Sequence, residues 1–248
     1  MLRPLSLALL FLLTGITAAE ARCVVLLHGL ARSDLSLILL EGVLSRQGYQ
    51  VVNSSYPSTE APLQDLVGYV DAALAECREP DSVDFVTHSM GGVLLRVWAL
   101  KGENTARIGR AVMLAPPNQG SEFADLLMRS DTLAWLRGPS AMQLATEGET
   151  ALPPRLPGVA FELGVIAGNH KINPLASLLI EGENDGVVSV ESTRVEGMND
   201  HIVLPVAHTT MVNDPQVIFE VQSFLAKGQF VPVPSWRDAV KRLIDGNW

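Results

Sequence analysis

Short apolar runs alternate with amphipathic stretches along most of the chain. Cys23 to Gly29 reads CVVLLHG, an apolar run without polar breaks that stops at a glycine. Such a run predicts a strand buried on both faces. Ser36 to Gln47 is helical in pattern and stops at Gly48, and YQVVNSSYP (Tyr49 to Pro57) predicts a second short strand. Leu63 to Cys77 carries Leu63, Leu66, Val67, Val70, Ala73 and Leu74 as a helical stripe. Val83 to His88 predicts a third strand, followed by a helix from Met90 to about Leu100. IGRAVMLAPP (Ile108 to Pro117) predicts a fourth, FELGVIAG (Phe161 to Gly168) a fifth and HIVLPVA (His201 to Ala207) a sixth. Asp214 to Leu225 reads as a closing helix.

Strand and helix in alternation predict an α/β fold: a mostly parallel, twisted sheet of about six strands with helices on both faces. Residues 118–157 break the rhythm with two or three short helical pieces and the Pro-rich LPPRLPG, and predict a small lid-like insertion. The tail 231–248 holds a Pro-rich linker and a short amphipathic helix beginning near Trp236.

Composition narrows the classes. With 48% hydrophobic and 18% charged residues, the 248-residue chain is that of a globular protein with a sizeable core. A formal net charge of −9 and the lack of any basic run argue against a nucleic-acid partner. The N-terminus reads separately: Arg3, the apolar LSLALLFLLT (Leu5 to Thr14) and the small-x-small Ala19-Glu20-Ala21 predict a signal peptide over 1–21, cut after Ala21. The mature domain is then 22–230, in the periplasm or secreted. Oxidising conditions allow Cys23 and Cys77 to pair, which sequence alone leaves open.

In an open parallel sheet, ligands bind beyond the carboxyl ends of the strands. Ser89 follows the third predicted strand and His208 the sixth, whereas His201 lies at that strand's other end. A serine hydroxyl needs a base within hydrogen-bonding reach, and the base needs a partner that fixes its tautomer. Of the acids between Ser89 and His208 near the chain's end, Asp185 in GENDGVV is the choice, a Gly-flanked turn before an apolar pair, with Glu183 next.

These residues carry a resemblance. FVTHSMGG with the upstream LLHGL resembles the α/β-hydrolase superfamily, and especially its small bacterial secreted lipases and esterases. APPNQGSEFAD (Ala115 to Asp125), NDGVVS (Asn184 to Ser189) and AHTTM (from Ala207) resemble segments of those lipases in the same order. Two departures stand out: Thr87 occupies a position where the nucleophile turn usually has Gly, and Asp185 follows the fifth strand only after a long excursion.

The resemblance implies a minimal α/β-hydrolase fold and a serine ester hydrolase, a carboxylesterase or lipase, acting through Ser89, His208 and Asp185 and an acyl-enzyme. The backbone N–H groups of Leu30 and Met90 would form the oxyanion hole. His28 would fix its loop, and His88 would serve packing or orientation. No cofactor and no metal are expected: the five histidines are scattered. An acyltransferase using the same residues, or a non-catalytic binding protein on this fold, are the other readings. The expected partner is a small-molecule or lipid ester, with transient contact to a membrane or lipid surface; the oligomeric state is open. Phe123, Leu126, Leu127, Met128, Leu133, Trp135, Leu136, Met142 and Leu144 in the insertion suggest a pocket for an acyl chain of medium length.

Overall fold

A computed structural model describes residues 22–78, 82–129, 137–172, 180–231 and 235–246. The expected signal peptide, and Leu133, Trp135 and Leu136 of the insertion, lie outside them.

The strands are β1 (Cys23–Leu27), β2 (Gln50–Asn53), β3 (Val83–His88), β4 (Ile108–Leu114), β5 (Glu162–Gly168) and β6 (Asp200–Leu204). They form one sheet in the order β2-β1-β3-β4-β5-β6, parallel at every pairing. The helices are α1 (Ile38–Arg46), α2 (Leu63–Ala75), α3 (Met90–Ala99), α4 (Gly102–Thr105), α5 (Glu122–Arg129), α6 (Pro139–Gln143), α7 (Pro215–Lys227) and α8 (Trp236–Asp245). The parallel sheet expected from sequence is thus present.

Two strand ends fall short of the apolar runs that predict them, and proline is the reason. β4 stops at Leu114, before Ala115 with φ 42° and the Pro116-Pro117 pair. β6 starts at Asp200 and stops at Leu204, because Pro205 has no N–H to continue the ladder. The chain turns there, with the Val206 N–H donating back to the Leu204 carbonyl at 2.8 Å.

Alternation along the strands divides the core in two. Val24, Leu26, Val86, Val112, Leu114 and Ile166 face α1 and α7, meeting Leu40, Leu44, Val217, Val221 and Phe224. Val25, Leu27, Phe85, Ala111, Met113 and Val165 face α2 and α3, meeting Leu66, Val70, Leu74, Val93 and Leu94. Each large apolar side chain fully removed from water stabilises the fold by about 1.5–3 kcal/mol. A one-residue slip of a central strand would exchange the two sets, which does not improve either face's fit to its own helices.

Caps fix α7, which packs along the sheet through Val217, Val221 and Phe224. The Asp214 carboxylate accepts the N–H groups of Gln216 (2.8 Å) and Val217 (3.4 Å), Pro215 opens the helix, and Gly228 ends it at φ 73°. The tail helix α8 docks on α7 through buried Ala239 and through the Arg242 guanidinium, 5.3 Å from the centre of the Phe219 ring. Cys23, opening β1, and Cys77, beyond α2, are joined by a disulfide with their Cα atoms 5.8 Å apart.

Candidate active site

Backbone strain gathers at one edge. The non-glycine residues with positive φ among those described are Ala31, Ser89 and Ala115, which follow β1, β3 and β4 at the carboxyl edge of the sheet. Each such residue costs on the order of 1–3 kcal/mol and persists only where its surroundings enforce it. At Ser89 (φ 53°, ψ −123°) the enforcement is visible. Its N–H donates to the Leu114 carbonyl at 2.8 Å, and α3 begins at the next residue. Gly91 must be glycine, because a Cβ there would stand 2.4 Å from the Leu27 carbonyl oxygen. Gly92 also answers the first departure noted in the sequence. A Cβ at Gly92 would lie 3.2 Å from Thr87 Oγ1, so the bulk of Thr87 is accepted across from a residue with no side chain.

β3 thereby delivers Ser89 to the sheet edge, where His208 and Asp185 meet it. Ser89 Oγ donates to His208 Nε2 at 3.0 Å, and His208 Nδ1–H donates to Asp185 Oδ2 at 2.7 Å. All three are buried, at 7%, 7% and 3% exposure. The other carboxylate oxygen, Oδ1, accepts the N–H groups of Val187 (3.0 Å) and Val188 (2.8 Å). The Asp185 carbonyl accepts the His208 N–H at 3.1 Å, so acid and base are tied by backbone as well as by side chain. The second departure resolves in space. A Cβ on Gly168, the last residue of β5, would come within 2.9 Å of Asp185 Cβ. The long excursion therefore returns its acid to the tip of the fifth strand. Glu183 is exposed, and His201 on β6 pairs instead with Thr193 Oγ1 at 2.9 Å.

Two further histidines, His28 and His88, lie close to the site and are buried. His28 Nδ1–H donates to the Gly29 carbonyl at 2.9 Å, its Nε2 accepts the Tyr56 N–H at 3.2 Å, and its ring stacks on Tyr56. Burial lowers its pKa. His88 Nε2–H donates to the His208 carbonyl at 3.0 Å, and burial, followed by the proximity of His208, holds its pKa well below the usual value. Leu30 lines the cavity beside Ser89, and Met90, fully buried, opens α3.

Sequence reasoning missed the residues that hold the acid's turn. Arg96 on α3 is buried and donates to the carbonyls of Asn118 (2.8 Å), Leu156 (3.1 Å) and Pro157 (3.1 Å). Burial lowers its pKa to about 10. Asn118 in turn donates to the Thr193 carbonyl (2.8 Å), and Ser121 Oγ to the Val187 carbonyl (2.7 Å). The start of the insertion is thus stitched to the segment carrying Asp185. A buried arginine in the apolar run VLLRVWA was the available signal.

A cavity of about 320 Å³ opens at Ser89 and His208. Its walls include Leu30, Phe123, Leu127, Leu144, Val187 and Val188. Of the insertion residues named from sequence, Phe123, Leu127 and Leu144 line it, and Leu144 also belongs to the core beside α2 and α3.

No family model matches the chain, and no curated protein matches it. Solved structures do. The lipase BlEst2 of Bacillus licheniformis superposes with a TM-score of 0.66 at 18% identity in its mature form, over 86% of this chain and 94% of that one. In its propeptide form it does so with a TM-score of 0.67 at 19% identity, over 87% of this chain, which spans about half (51%) of that longer one. The phospholipase PlaB of Legionella pneumophila gives 0.57 at 20% identity, covering 92% of this chain and 63% of that one. A metagenomic carboxyl esterase, MGS0156, gives 0.58 at 18% identity over 99% and 80%. With its parallel six-stranded sheet and these neighbours, the chain has the α/β-hydrolase fold.

Proposed function

We propose that this protein is a serine ester hydrolase, a carboxylesterase or lipase. The observation that carries the reading is the hydrogen-bonded chain Ser89–His208–Asp185 at an apolar cavity. Ser89 Oγ attacks the acyl carbonyl while its proton passes to His208 Nε2. Asp185 holds Nδ1 protonated and offsets the imidazolium that forms. The carbonyl oxygen, now negative, is met by the N–H groups of Leu30 and Met90, helped by the amino end of α3. Each such donor is worth about 2.7–4 kcal/mol of barrier. The C–O bond to the alcohol then breaks, His208 returns the proton to the leaving oxygen, and water repeats the sequence on the acyl-enzyme.

Export fits the same reading. Residues 1–21 would direct the chain out of the cytoplasm and be removed after Ala21, and the Cys23–Cys77 disulfide suits an oxidising compartment. No described helix is long and apolar enough to cross a membrane. The insertion 118–157 would act as the acyl wall of the site. At about 320 Å³ the cavity is at the small end of the usual range for ligand pockets. It therefore suits chains of medium length. Each buried methylene should favour the ester by up to about 0.8 kcal/mol until the cavity is full. A series of p-nitrophenyl esters from acetate to palmitate, compared by kcat/KM, should peak at intermediate length. A steady fall from acetate upward would mean that the cavity does not hold the acyl chain.

A further inference from the structure

The loop after β1 is held, bond by bond, by the end of β2 and the loop after it. Tyr56 takes its first residue: the Tyr56 hydroxyl donates to the His28 carbonyl, and the Tyr56 N–H donates to His28 Nε2 at 3.2 Å. Asn53 and Ser55 take its far end: the Asp34 N–H donates to Ser55 Oγ at 2.9 Å, and Asn53 Nδ2–H to the Asp34 carbonyl at 3.0 Å. Between these ends lie Gly29, Leu30 and Ala31, which line the cavity together with Ser89. Gly29 abuts the serine itself, since a Cβ there would stand 3.1 Å from Ser89 Cβ.

Two peptide planes meet at Leu30, and each has an anchor. In the Gly29–Leu30 peptide, the Gly29 carbonyl accepts His28 Nδ1–H at 2.9 Å. The peptide is trans, so the Leu30 N–H points the opposite way, and it meets no acceptor among the described residues. In the Leu30–Ala31 peptide, the Ala31 N–H donates to Ser58 Oγ at 3.0 Å. Ala31 holds φ at 53°, which a residue with a Cβ adopts only where its surroundings retain it. Ser58 is itself fixed. It is buried, its N–H donates to the Tyr56 carbonyl at 2.8 Å, and its carbonyl accepts the Ser140 hydroxyl from α6. With its backbone tied on both sides, Ser58 offers its hydroxyl to Ala31 from a fixed point.

We infer that Ser58 is a positioning residue for the oxyanion site: by holding the Leu30–Ala31 peptide and the φ of Ala31, it aims the Leu30 N–H at the oxygen that turns negative when Ser89 attacks. The inference rests on the ester-hydrolase reading, in which that N–H is an oxyanion donor. Ser58 lies outside the cavity and acts only through the loop. Its contribution belongs to the transition state, because a donor aimed at the oxyanion does little for the ground-state carbonyl. Loss of aim therefore lowers kcat and leaves KM as it is. A displacement of about 1 Å from a change away from the chemistry costs up to about 100-fold.

Ser58→Ala tests the role, with Ser55→Ala beside it and the melting temperature measured on both. In Ser58→Ala, kcat for p-nitrophenyl butyrate should fall by about 10- to 100-fold with KM unchanged. A trifluoromethyl ketone supplies the second readout: Ser89 Oγ adds to its carbonyl carbon, the proton passes to His208, and the adduct carries the same oxyanion. Its inhibition constant should rise by a factor similar to the loss in kcat. Ser55→Ala releases the loop at Asp34 and leaves both peptides of Leu30 held, so its kcat should stay at the parent's level. If alanine at position 58 leaves the protein unfolded, Ser58→Cys, close to serine in size but a weak acceptor, should give the same loss. The role is overturned by a folded Ser58 variant that keeps its kcat, by a loss confined to KM, by ketone inhibition that stays at the parent's level, or by an equal loss in Ser55→Ala. A parent that hydrolyses no ester sinks the hydrolase reading and the role with it, whereas an active parent beside an unimpaired Ser58→Ala sinks the role alone.

Discussion

Asp185→Asn should reduce ester hydrolysis by about four orders of magnitude while leaving the protein folded. The two carboxylate oxygens have different partners. Oδ1 accepts the Val187 and Val188 N–H groups at 3.0 and 2.8 Å, and Oδ2 accepts His208 Nδ1–H at 2.7 Å. An asparagine has one acceptor and one donor end. Its oxygen must take the Oδ1 position, because an NH₂ there would face two N–H donors. The NH₂ then points at His208 Nδ1, which can only meet it as an acceptor. The imidazole proton moves to Nε2, the atom that faces Ser89 Oγ at 3.0 Å, and the base can no longer take the serine proton. A wrong-tautomer histidine in a Ser-His-Asp site costs about 10⁴ in kcat, which is about 5.4 kcal/mol of barrier. The folded state loses one charge-assisted hydrogen bond, about 1.5–3 kcal/mol, and keeps the two backbone contacts. The assay is kcat and KM for p-nitrophenyl butyrate, with the melting temperature measured beside it. KM should change little. An activity within tenfold of the parent would refute the reasoning, all the more if Glu183→Gln were the damaging substitution.

Two stability measurements follow from other parts of the structure. The Cys23–Cys77 bond closes a loop of 54 residues, for which chain entropy gives about 4 kcal/mol. The oxidised protein should show no reactive thiol under denaturing conditions, and reduction should lower the urea midpoint accordingly; two titratable thiols before reduction would contradict the pairing. Burial lowers the pKa of His28 and His88 below the free value, so the unfolded chain takes up protons there before the folded one does. Their contribution to stability is whole above the unfolded pKa near 6.5 and is lost as pH falls from there toward the folded values. Urea unfolding should show a loss of up to about 2 kcal/mol between pH 7 and pH 5.5. A stability that holds or rises over that interval would mean that these rings are not buried as neutral groups.

Much of this was legible in the sequence because local pattern and tertiary role coincide. The runs CVVLL and VDFV are apolar or nearly so because their strands are covered on both faces, and period alone marks them. Ser89 and His208 could be paired because a parallel sheet sends the ends of its strands to one edge. Boundaries were less legible where proline intervened, as at Leu114 and Leu204, since apolar character continues past the point where the ladder can. The contact of Asp185 with the tip of β5 was not legible, because it depends on how the excursion after Gly168 folds back. Nor was the network through Arg96, Asn118 and Ser121, whose bonds run mostly to backbone carbonyls that carry no sequence signature.

The central claim is that Ser89 is the nucleophile, and covalent capture tests it most directly. The intact protein is treated with a fluorophosphonate probe, digested, and the modified peptide is identified by mass spectrometry. The account requires one adduct, on Ser89, and requires that Ser89→Ala abolish both the labelling and p-nitrophenyl ester hydrolysis while the circular dichroism spectrum and melting temperature stay close to those of the parent. An adduct on a different serine, or a folded Ser89→Ala protein that still turns over ester, would contradict it.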